Sequence, residues 1–268
     1  MRIAIGIEYD GSHFHGWQSQ PQLKTVQGVL ENAIAGIAGE PAVVIAAGRT
    51  DAGVHALEQV AHFDTSAVRP LQAWVRGVNS CLPSAMAVRW AIEVEPEFHA
   101  RFSAISRSYR YVLFNHPVRP ALQSGQVGWY HQPLDAGLMN AAAQDLLGEH
   151  DFSSFRSSEC QARSPVKTLH QAIIRRHGDY VLFDFRAGGF LHHMVRNIVG
   201  SLLWIGYGRK PPEWFGALLA ARDRTQAAPT FAPDGLYFVS AEYDKRWRLP
   251  SHLSSEGRIM VPFDPVRF

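Results

Sequence analysis

Residues 3–9 of this chain have the sequence Ile3-Ala4-Ile5-Gly6-Ile7-Glu8-Tyr9. The larger apolar side chains stand at every second position, which is the period of a half-buried β-strand. A polar turn follows at Asp10-Gly11-Ser12, and Thr25 can then cap a helix that ends near Gly39. Within that helix the apolar residues lie three or four positions apart. The pattern therefore predicts a strand followed by an amphipathic helix.

The rest of the first half continues this alternation of strands and helices. Two β-rich stretches are predicted at Ala42–Ala47 and Gln59–Phe63. A helix is predicted from Pro70 onward, carrying Leu71, Trp74, Val75 and Val78, and a closing strand at Ala87–Val94. Proline suits the first turn of a helix because the N–H it lacks would have no partner there.

From Arg107 the pattern starts again. The predicted elements are a strand at Tyr109–Phe114, a helix capped by Asp135 that carries Leu138, Met139, Ala142 and Leu146, a hairpin that turns at His177-Gly178-Asp179 into a strand at Tyr180–Phe185, a long helix at Leu191–Ile205, a short helix at Trp214–Ala220, and a last strand at Leu236–Tyr243. The fold class is therefore α+β, with two similar halves on mainly antiparallel sheets. We expect domains at 1–104 and 105–244 and an irregular tail at 245–268.

The composition indicates a soluble cytoplasmic protein. Of 268 residues, 46% are hydrophobic, which is enough for a substantial core. The two cysteines, Cys81 and Cys160, are expected to be reduced thiols. There is no signal-peptide pattern and no apolar run of about 20 residues, so no membrane partner is expected. The net charge of +2 is only a weak indication of a nucleic-acid partner, although arginines do cluster along the chain.

The stretch Ala47-Gly48-Arg49-Thr50-Asp51-Ala52-Gly53-Val54-His55-Ala56 joins two predicted strands. Glycines on both sides of Arg49 and Asp51 permit tight backbone, so the loop can present both side chains to a cleft. A plain turn in which Asp51 accepts hydrogen bonds from nearby N–H groups explains the same residues. The loop alone leaves both interpretations open.

This loop resembles the G-R-T-D-A-G-V-H segment of the tRNA pseudouridine synthase A family. Further segments similar to that family occur in the same order, at Glu8-Tyr9-Asp10-Gly11, Gly16-Trp17-Gln18, His99-Ala100-Arg101-Phe102-Ser103-Ala104, Tyr109-Arg110-Tyr111 and His192-His193-Met194-Val195-Arg196-Asn197. The resemblance extends from near the N-terminus to about Tyr243. The sequence departs from the family pattern in two places. The tail after Tyr243 has no counterpart in the family, and Phe231 stands where the family usually has a small residue.

The resemblance implies roles for four side chains. Asp51 matches the catalytic aspartate, Tyr109 the active-site tyrosine, and Arg196 the basic residue that pairs with the aspartate. Arg49 matches a loop arginine linked to base flipping. It also implies the pseudouridine synthase fold, with ferredoxin-like or RRM-like halves flanking a catalytic cleft. The implied substrate is uridine at positions 38–40 in the anticodon stem-loop of tRNA, and the implied assembly is a homodimer.

The chemistry agrees with these residue types. Uridine becomes pseudouridine when the glycosidic bond breaks and the rotated base rejoins the ribose through carbon, which is a redox-neutral isomerisation. No cofactor is therefore expected, and glycine-rich phosphate loops are absent from the sequence. An aspartate can act as a nucleophile or as a base, and the sequence does not choose between these routes. A cation such as Arg196 would keep a buried carboxylate ionised.

Tyr109 shares one face of its predicted strand with Tyr111 and Leu113. Alternating aromatic residues occur both in cores and on base-stacking sheets, and the family resemblance favours the second role for Tyr109 only. Its ring could stack on an extruded uracil, because a base inside a helical stack is not accessible. Arg107 and Arg110 flank this tyrosine and are expected to contact the tRNA.

Three alternatives compete with this hypothesis. His13, His15, His192 and His193 resemble metal ligands, but no carboxylate and cysteine partners are suitably spaced, so no metal is expected. A non-catalytic RRM-like RNA-binding protein would explain the paired halves and would not need Asp51. A nucleoside or glycoside hydrolase would normally use two carboxylates, and neither Glu58 nor Asp64 forms an obvious pair with Asp51.

Overall fold

The computed structural model describes residues 1–250. Contacts divide the described residues into two compact units, Met1–Ile105 together with 238–250, and Ser106–Tyr237. Of the tail predicted at 245–268, a single 3-10 turn, Lys245–Trp247, is described, and residues 251–268 lie outside the described residues. No helix within residues 1–250 is long and apolar enough to cross a membrane.

The first unit is a sheet with helices. Its elements are β1 (Arg2–Tyr9), α1 (Val26–Ala38), β2 (Ile45–Ala46), β3 (His55–Asp64), a π-helical turn (Ala73–Gly77), α2 (Val78–Cys81) and β4 (Met86–Val94). The last described strand, β10 (Leu236–Tyr243), pairs with β3, so the strand order is β4-β1-β3-β10. Both neighbours of β1 run antiparallel to it.

The strand at the start of the chain forms as predicted but is more deeply buried. Ile3, Ile5 and Ile7 are fully buried, and Ala4 on the opposite face is buried as well. A Cβ atom on Gly6 would lie within 2.2 Å of the Trp90 indole, so glycine is needed where that ring crosses β1. The expectation of a half-buried strand was therefore wrong, because the face that carries Ala4 and Gly6 is covered as well, in part by the Trp90 ring.

Local signals placed α1 correctly. The Thr25 hydroxyl accepts the N–H of Gly28, and Gly39 ends the helix with a left-handed φ of 78°. The strand predicted at Ala42–Ala47 shrinks to two residues, because side chains of α1 take the hydrogen-bonding groups of Val44. Its N–H donates to Glu31 Oε1 at 2.9 Å, and its carbonyl accepts from Gln27.

The second unit begins at Ser106, the third residue of β5 (Ala104–Asn115). Its other elements are β6 (Gly128–Tyr130), α3 (Ala136–Ala143), β7 (Gly148–Asp151), β8 (Val166–His177), β9 (Tyr180–Ala187), α4 (Met194–Gly206) and α5 (Trp214–Ala221). Its strand order is β5-β9-β8-β7, and these neighbours are antiparallel. The short β6 runs parallel to its partner, β5. Both units thus confirm the α+β class with mainly antiparallel pairing.

The helices predicted from the sequence of this unit are mostly confirmed. The Asp135 carboxylate accepts the N–H of Leu138 and caps α3 as predicted, but Leu138 itself is 43% exposed and so is not part of the buried stripe. Gly178 has a positive φ in the β8–β9 turn, as the hairpin requires. α4 begins at Met194 instead of Leu191, because His193 adopts a left-handed φ of 61° that a helix cannot contain.

Candidate active site

The loop that carries Arg49 and Asp51 lies between β2 and β3 and is tied down at its first residues. Gln59 on β3 is fully buried, and its side-chain amide binds both backbone groups of Gly48. Nε2 donates to the Gly48 carbonyl at 2.6 Å, and Oε1 accepts the Gly48 N–H at 3.3 Å. The N–H of Ala47 donates to the Val60 carbonyl at 2.8 Å. The strand next to the loop therefore fixes where the loop begins.

Thr50, next to Asp51, is held from two sides. Its buried hydroxyl lies 2.8 Å from the Tyr9 hydroxyl, and its carbonyl accepts the N–H of Trp17 at 2.9 Å. Burial raises the pKa of Tyr9 to about 12, so the phenol stays neutral and can hydrogen-bond to Thr50. Gly16 has a φ of 83°, and a Cβ there would lie 3.0–3.2 Å from backbone atoms of the loop. Glycine at 16 therefore permits close approach of the two segments.

The loop closes just after Asp51. The N–H of Val54 donates to the Asp51 carbonyl at 3.1 Å across a turn in which Gly53 has a φ of 81°. The buried His55 accepts the N–H of Gly11 at Nδ1, and a Cβ on Gly11 would meet the Val54 carbonyl at 2.0 Å. The result is a fixed loop on which Asp51 is half-buried and Arg49 is exposed.

Tyr109 belongs to the second unit and lies on β5, paired with Phe185 of β9. Its half-exposed ring meets Phe190 edge to face, with centroids 4.9 Å apart. Tyr111 and Leu113 on the same strand are fully buried, and the Tyr111 hydroxyl donates to the Ala232 carbonyl at 2.9 Å. Burial also raises the pKa of Tyr111. Tyr111 and Leu113 are thus core residues, whereas Tyr109 retains an accessible ring.

Arg196 also belongs to the second unit and lies in the first turn of α4. Its Nε donates to the Phe231 carbonyl at 2.8 Å, and the N–H of Phe231 donates to the Arg196 carbonyl at 3.4 Å. The Phe231 ring packs 5.7 Å from Tyr111 and 6.4 Å from Tyr130. The Phe231 side chain thus packs against two aromatic rings, and its backbone orients the arginine.

Arg107 and Arg110 differ in their surroundings. Arg107 is half-exposed and donates to the Gly188 carbonyl at 2.9 Å. Arg110 is 8% exposed and forms a two-pronged ion pair with Asp184, at 2.6 and 3.1 Å. Arg175 also reaches Asp184. The Arg110 guanidinium is thus paired with a buried carboxylate, whereas the Arg107 side chain is more exposed to solvent.

Sequence reasoning missed the side chains that fix the Asp51 loop. Gln59, Tyr9 and Thr50 hold the loop, yet the strand patterns gave them no role beyond burial. A signal was present for Gln59, since a polar residue between Glu58 and the apolar Val60-Ala61 pair needs hydrogen-bonding partners once it is buried. The histidines proposed as rival metal ligands fall in both units: His13 and His15 in the first, and His192 and His193, with rings 3.9 Å apart, in the second.

Comparison with known proteins agrees with these features. The family model described as tRNA pseudouridine synthase matches residues 5–103 and 142–244. The chain is 63% identical over 250 residues to tRNA pseudouridine synthase A of Thiobacillus denitrificans, covering 93% of this chain and 96% of that protein. The proteins of the same name from Dechloromonas aromatica and Aromatoleum aromaticum are each 58% identical, and the alignments cover 93% and 97% of this chain and 95% and 97% of theirs. The chain therefore belongs to the tRNA pseudouridine synthase family.

Proposed function

We propose that this protein isomerises uridine to pseudouridine at positions 38–40 of the anticodon stem-loop of tRNA, without a cofactor. The observation that carries the proposal is the Asp51 loop, which is fixed at Gly48, Thr50 and Val54 and holds Asp51 half-buried. A side chain that reacts must be held within a fraction of an ångström, and this loop has the hydrogen bonds to achieve that. Family membership supplies the reaction and the class of substrate.

In this proposal Asp51, Tyr109 and Arg196 perform the chemistry. Asp51 serves as nucleophile or base, Tyr109 stacks on the extruded base and takes part in proton transfer, and Arg196 serves as the basic residue. Arg49 assists extrusion of the base from its stack. Among these, Arg196 is oriented by the Phe231 carbonyl, which supports a fixed position for its guanidinium.

The direct test is incubation of the purified protein with an unmodified tRNA transcript, followed by base-resolved chemical mapping of pseudouridine. We expect modification confined to positions 38–40. Release of free uracil would instead indicate the hydrolase alternative. Tight binding of tRNA without any product would indicate a non-catalytic RNA-binding protein.

For tRNA binding, Arg107→Ala should weaken affinity and reduce the slope of log affinity against log salt by about 1, because each phosphate contact releases counterions. Arg110→Ala is a contrasting variant. It leaves Asp184 without its closest cation, so we expect a loss of stability of about 3 kcal/mol in addition to any change in binding. Affinity is measured across a salt series and stability by urea unfolding. Unchanged affinity and slope in Arg107→Ala would mean that this side chain faces away from RNA.

We further propose a homodimer in the cytoplasm. Both cysteines are free thiols, as suits a reducing compartment. Trp204 and Trp214 form a half-buried pair with centroids 5.7 Å apart, and the Arg209 guanidinium lies 4.0 Å from the Trp204 ring centre. Large aromatics beside an arginine are typical of the centre of protein interfaces.

Light scattering at micromolar concentration should therefore give twice the monomer mass. Trp214→Ala should shift the equilibrium toward monomer at least tenfold if this pair lies in the interface. A control is Leu122→Ala, which removes an exposed apolar side chain from another part of the same unit. A monomer mass for the unmodified protein would contradict the proposal.

A further inference from the structure

The side chain of Phe102 is unusually exposed for a large aromatic residue, with 76% of its surface accessible. It stands in the turn that leads from the first sheet into β5. Single exposed apolar residues need no special explanation, but the surroundings of this ring are more ordered than a surface turn requires. Three features set it apart: the closed turn that carries it, the rings stacked beneath it, and the arginine beside it.

The turn at 99–103 is closed by its own hydrogen bonds. The N–H of Ser103 donates to the His99 carbonyl at 2.8 Å, and the Ser103 hydroxyl accepts the N–H of His99 at 3.0 Å. The His99 Nδ1 accepts the N–H groups of both Arg101 and Phe102 at 3.2 Å. Desolvation, together with the charges of Arg2 and Arg101, lowers the pKa of His99, so its ring stays neutral and remains an acceptor. The backbone that positions Phe102 is therefore fixed.

Beneath Phe102, aromatic rings form a column that reaches the core. The Phe102 ring stacks on His99 with centroids 4.3 Å apart and planes 28° from parallel. His99 lies 4.8 Å from His62, and His62 lies 6.0 Å from the fully buried Phe98. Burial lowers the pKa of His62 to about 4, and its Nδ1 accepts the N–H of Ala100. The exposed ring is thus the outermost member of a series of ring contacts, one stacked and two edge to face, whose two histidines are uncharged.

The position of this column on β3 separates it from the catalytic loop. Thr50, next to Asp51, contacts Tyr9, which pairs with Ala56 of β3, and Ala56 lies six residues or about 20 Å of extended chain from His62. The Asp51 loop precedes His55, and the column begins at His62. A nucleotide held by Phe102 would therefore be a different one from the uridine that reacts.

We propose that Phe102 is a stacking site for a nucleobase of the tRNA substrate, remote from the reacting uridine, and that Arg101 attracts the adjoining phosphate. The Arg101 guanidinium carbon lies 5.6 Å from the centre of the Phe102 ring. An exposed aromatic ring with a guanidinium over it suits a base and its phosphate, since every base presents a π-face and every nucleotide a negative charge. This inference rests on the proposed tRNA substrate and adds to it a contact that contributes to RNA affinity away from the reacting uridine.

The test uses unmodified tRNA transcript as the probe. Phe102→Ala should weaken its affinity by roughly 5- to 150-fold, the range for loss of one base–aromatic stack. Phe102→Trp should restore binding, whereas Phe102→Leu, which keeps apolar bulk without a π-face, should not. Leu122→Ala, which trims a side chain that is 95% exposed, should leave affinity unchanged. Arg101→Ala should reduce the salt slope by about 1, whereas Phe102→Ala should leave that slope unchanged.

The outcomes separate this site from the proposed activity. With saturating enzyme, Phe102→Ala should form pseudouridine at nearly the unmodified rate, because the site contributes to binding only. If Phe102→Leu binds tRNA as tightly as the unmodified protein, the stacking proposal is overturned and Phe102 makes only an ordinary apolar contact. Conversion of a dimer into a monomer by Phe102→Ala, with intrinsic RNA affinity retained, would assign the ring to a subunit interface and also overturn it. An unmodified protein that makes no pseudouridine but shows the same Phe102 effects would contradict the activity and not this site.

Discussion

Asp51→Asn is expected to abolish pseudouridine formation while leaving folding and tRNA affinity nearly unchanged. Asparagine keeps the size of the side chain but removes its charge, its nucleophilicity and its basicity, so either covalent route should fail. The loop should keep its shape, because Gly48, Thr50 and Val54 are held by contacts that do not use the Asp51 carboxylate. Affinity should persist because it is spread over many phosphate and stacking contacts.

The experiment needs two companion variants. Asp51→Glu keeps the charge but moves the carboxylate by about one bond length, which should cost roughly 100-fold in single-turnover rate if geometry is decisive. Asp179→Asn makes the same chemical change in the exposed β8–β9 turn and should leave the rate unaltered. Urea unfolding and tRNA binding check that each protein is folded. Near-normal turnover in Asp51→Asn would refute the catalytic role and favour an aspartate that only shapes the turn, since asparagine caps about as well.

The parts of the fold that sequence predicted are those decided by local rules. The alternation in residues 3–9 located β1, and Thr25 and Gly39 located the two ends of α1. The turn at Gly178 located the β8–β9 hairpin. In each case a few neighbouring residues determine the backbone, so the pattern and the structure agree.

The predictions that differ from the structure depend on contacts between distant residues or on an unusual backbone angle. The strand predicted at Ala42–Ala47 is shortened because Glu31, on a helix, binds the Val44 N–H. The burial of the second face of β1 depends on side chains from elsewhere, such as Trp90 of β4, and these are not visible in a single strand's pattern. The delayed start of α4 depends on the left-handed backbone of His193, a conformation uncommon for residues other than glycine and not signalled by the helical periodicity.

The same distinction applies to the candidate site. The glycines around Arg49 and Asp51 predicted a tight loop, and Gly53 does adopt a positive φ of 81° there. What holds it could not be deduced, because the contacts of Gln59 with Gly48 and of Tyr9 with Thr50 span 11 and 41 residues of sequence. The Arg110–Asp184 pair spans 74 residues, so a cluster of arginines in the sequence did not reveal which of them is already neutralised.

Tyr109→Phe is expected to retain tRNA binding and to reduce turnover by about 100- to 10,000-fold, the usual contribution of one positioned acid or base. The phenylalanine ring should still meet Phe190 edge to face and still stack on an extruded base, since both interactions use only the ring. What is lost is the hydroxyl, which we propose acts in a late proton transfer. The variant therefore separates stacking from proton transfer.

The matched control for Tyr109→Phe is Tyr111→Phe, two positions along the same strand. It also removes one hydroxyl, but that hydroxyl donates to the Ala232 carbonyl inside the core. We expect it to lower the free energy of unfolding by about 1–3 kcal/mol and to leave the single-turnover rate of the folded protein unchanged, because the Ala232 carbonyl loses its buried donor. Tyr109→Ala should lose both binding and turnover. If Tyr109→Phe turns over at the unmodified rate while Tyr109→Ala does not, the hydroxyl has no catalytic role and Tyr109 acts only as a stacking surface.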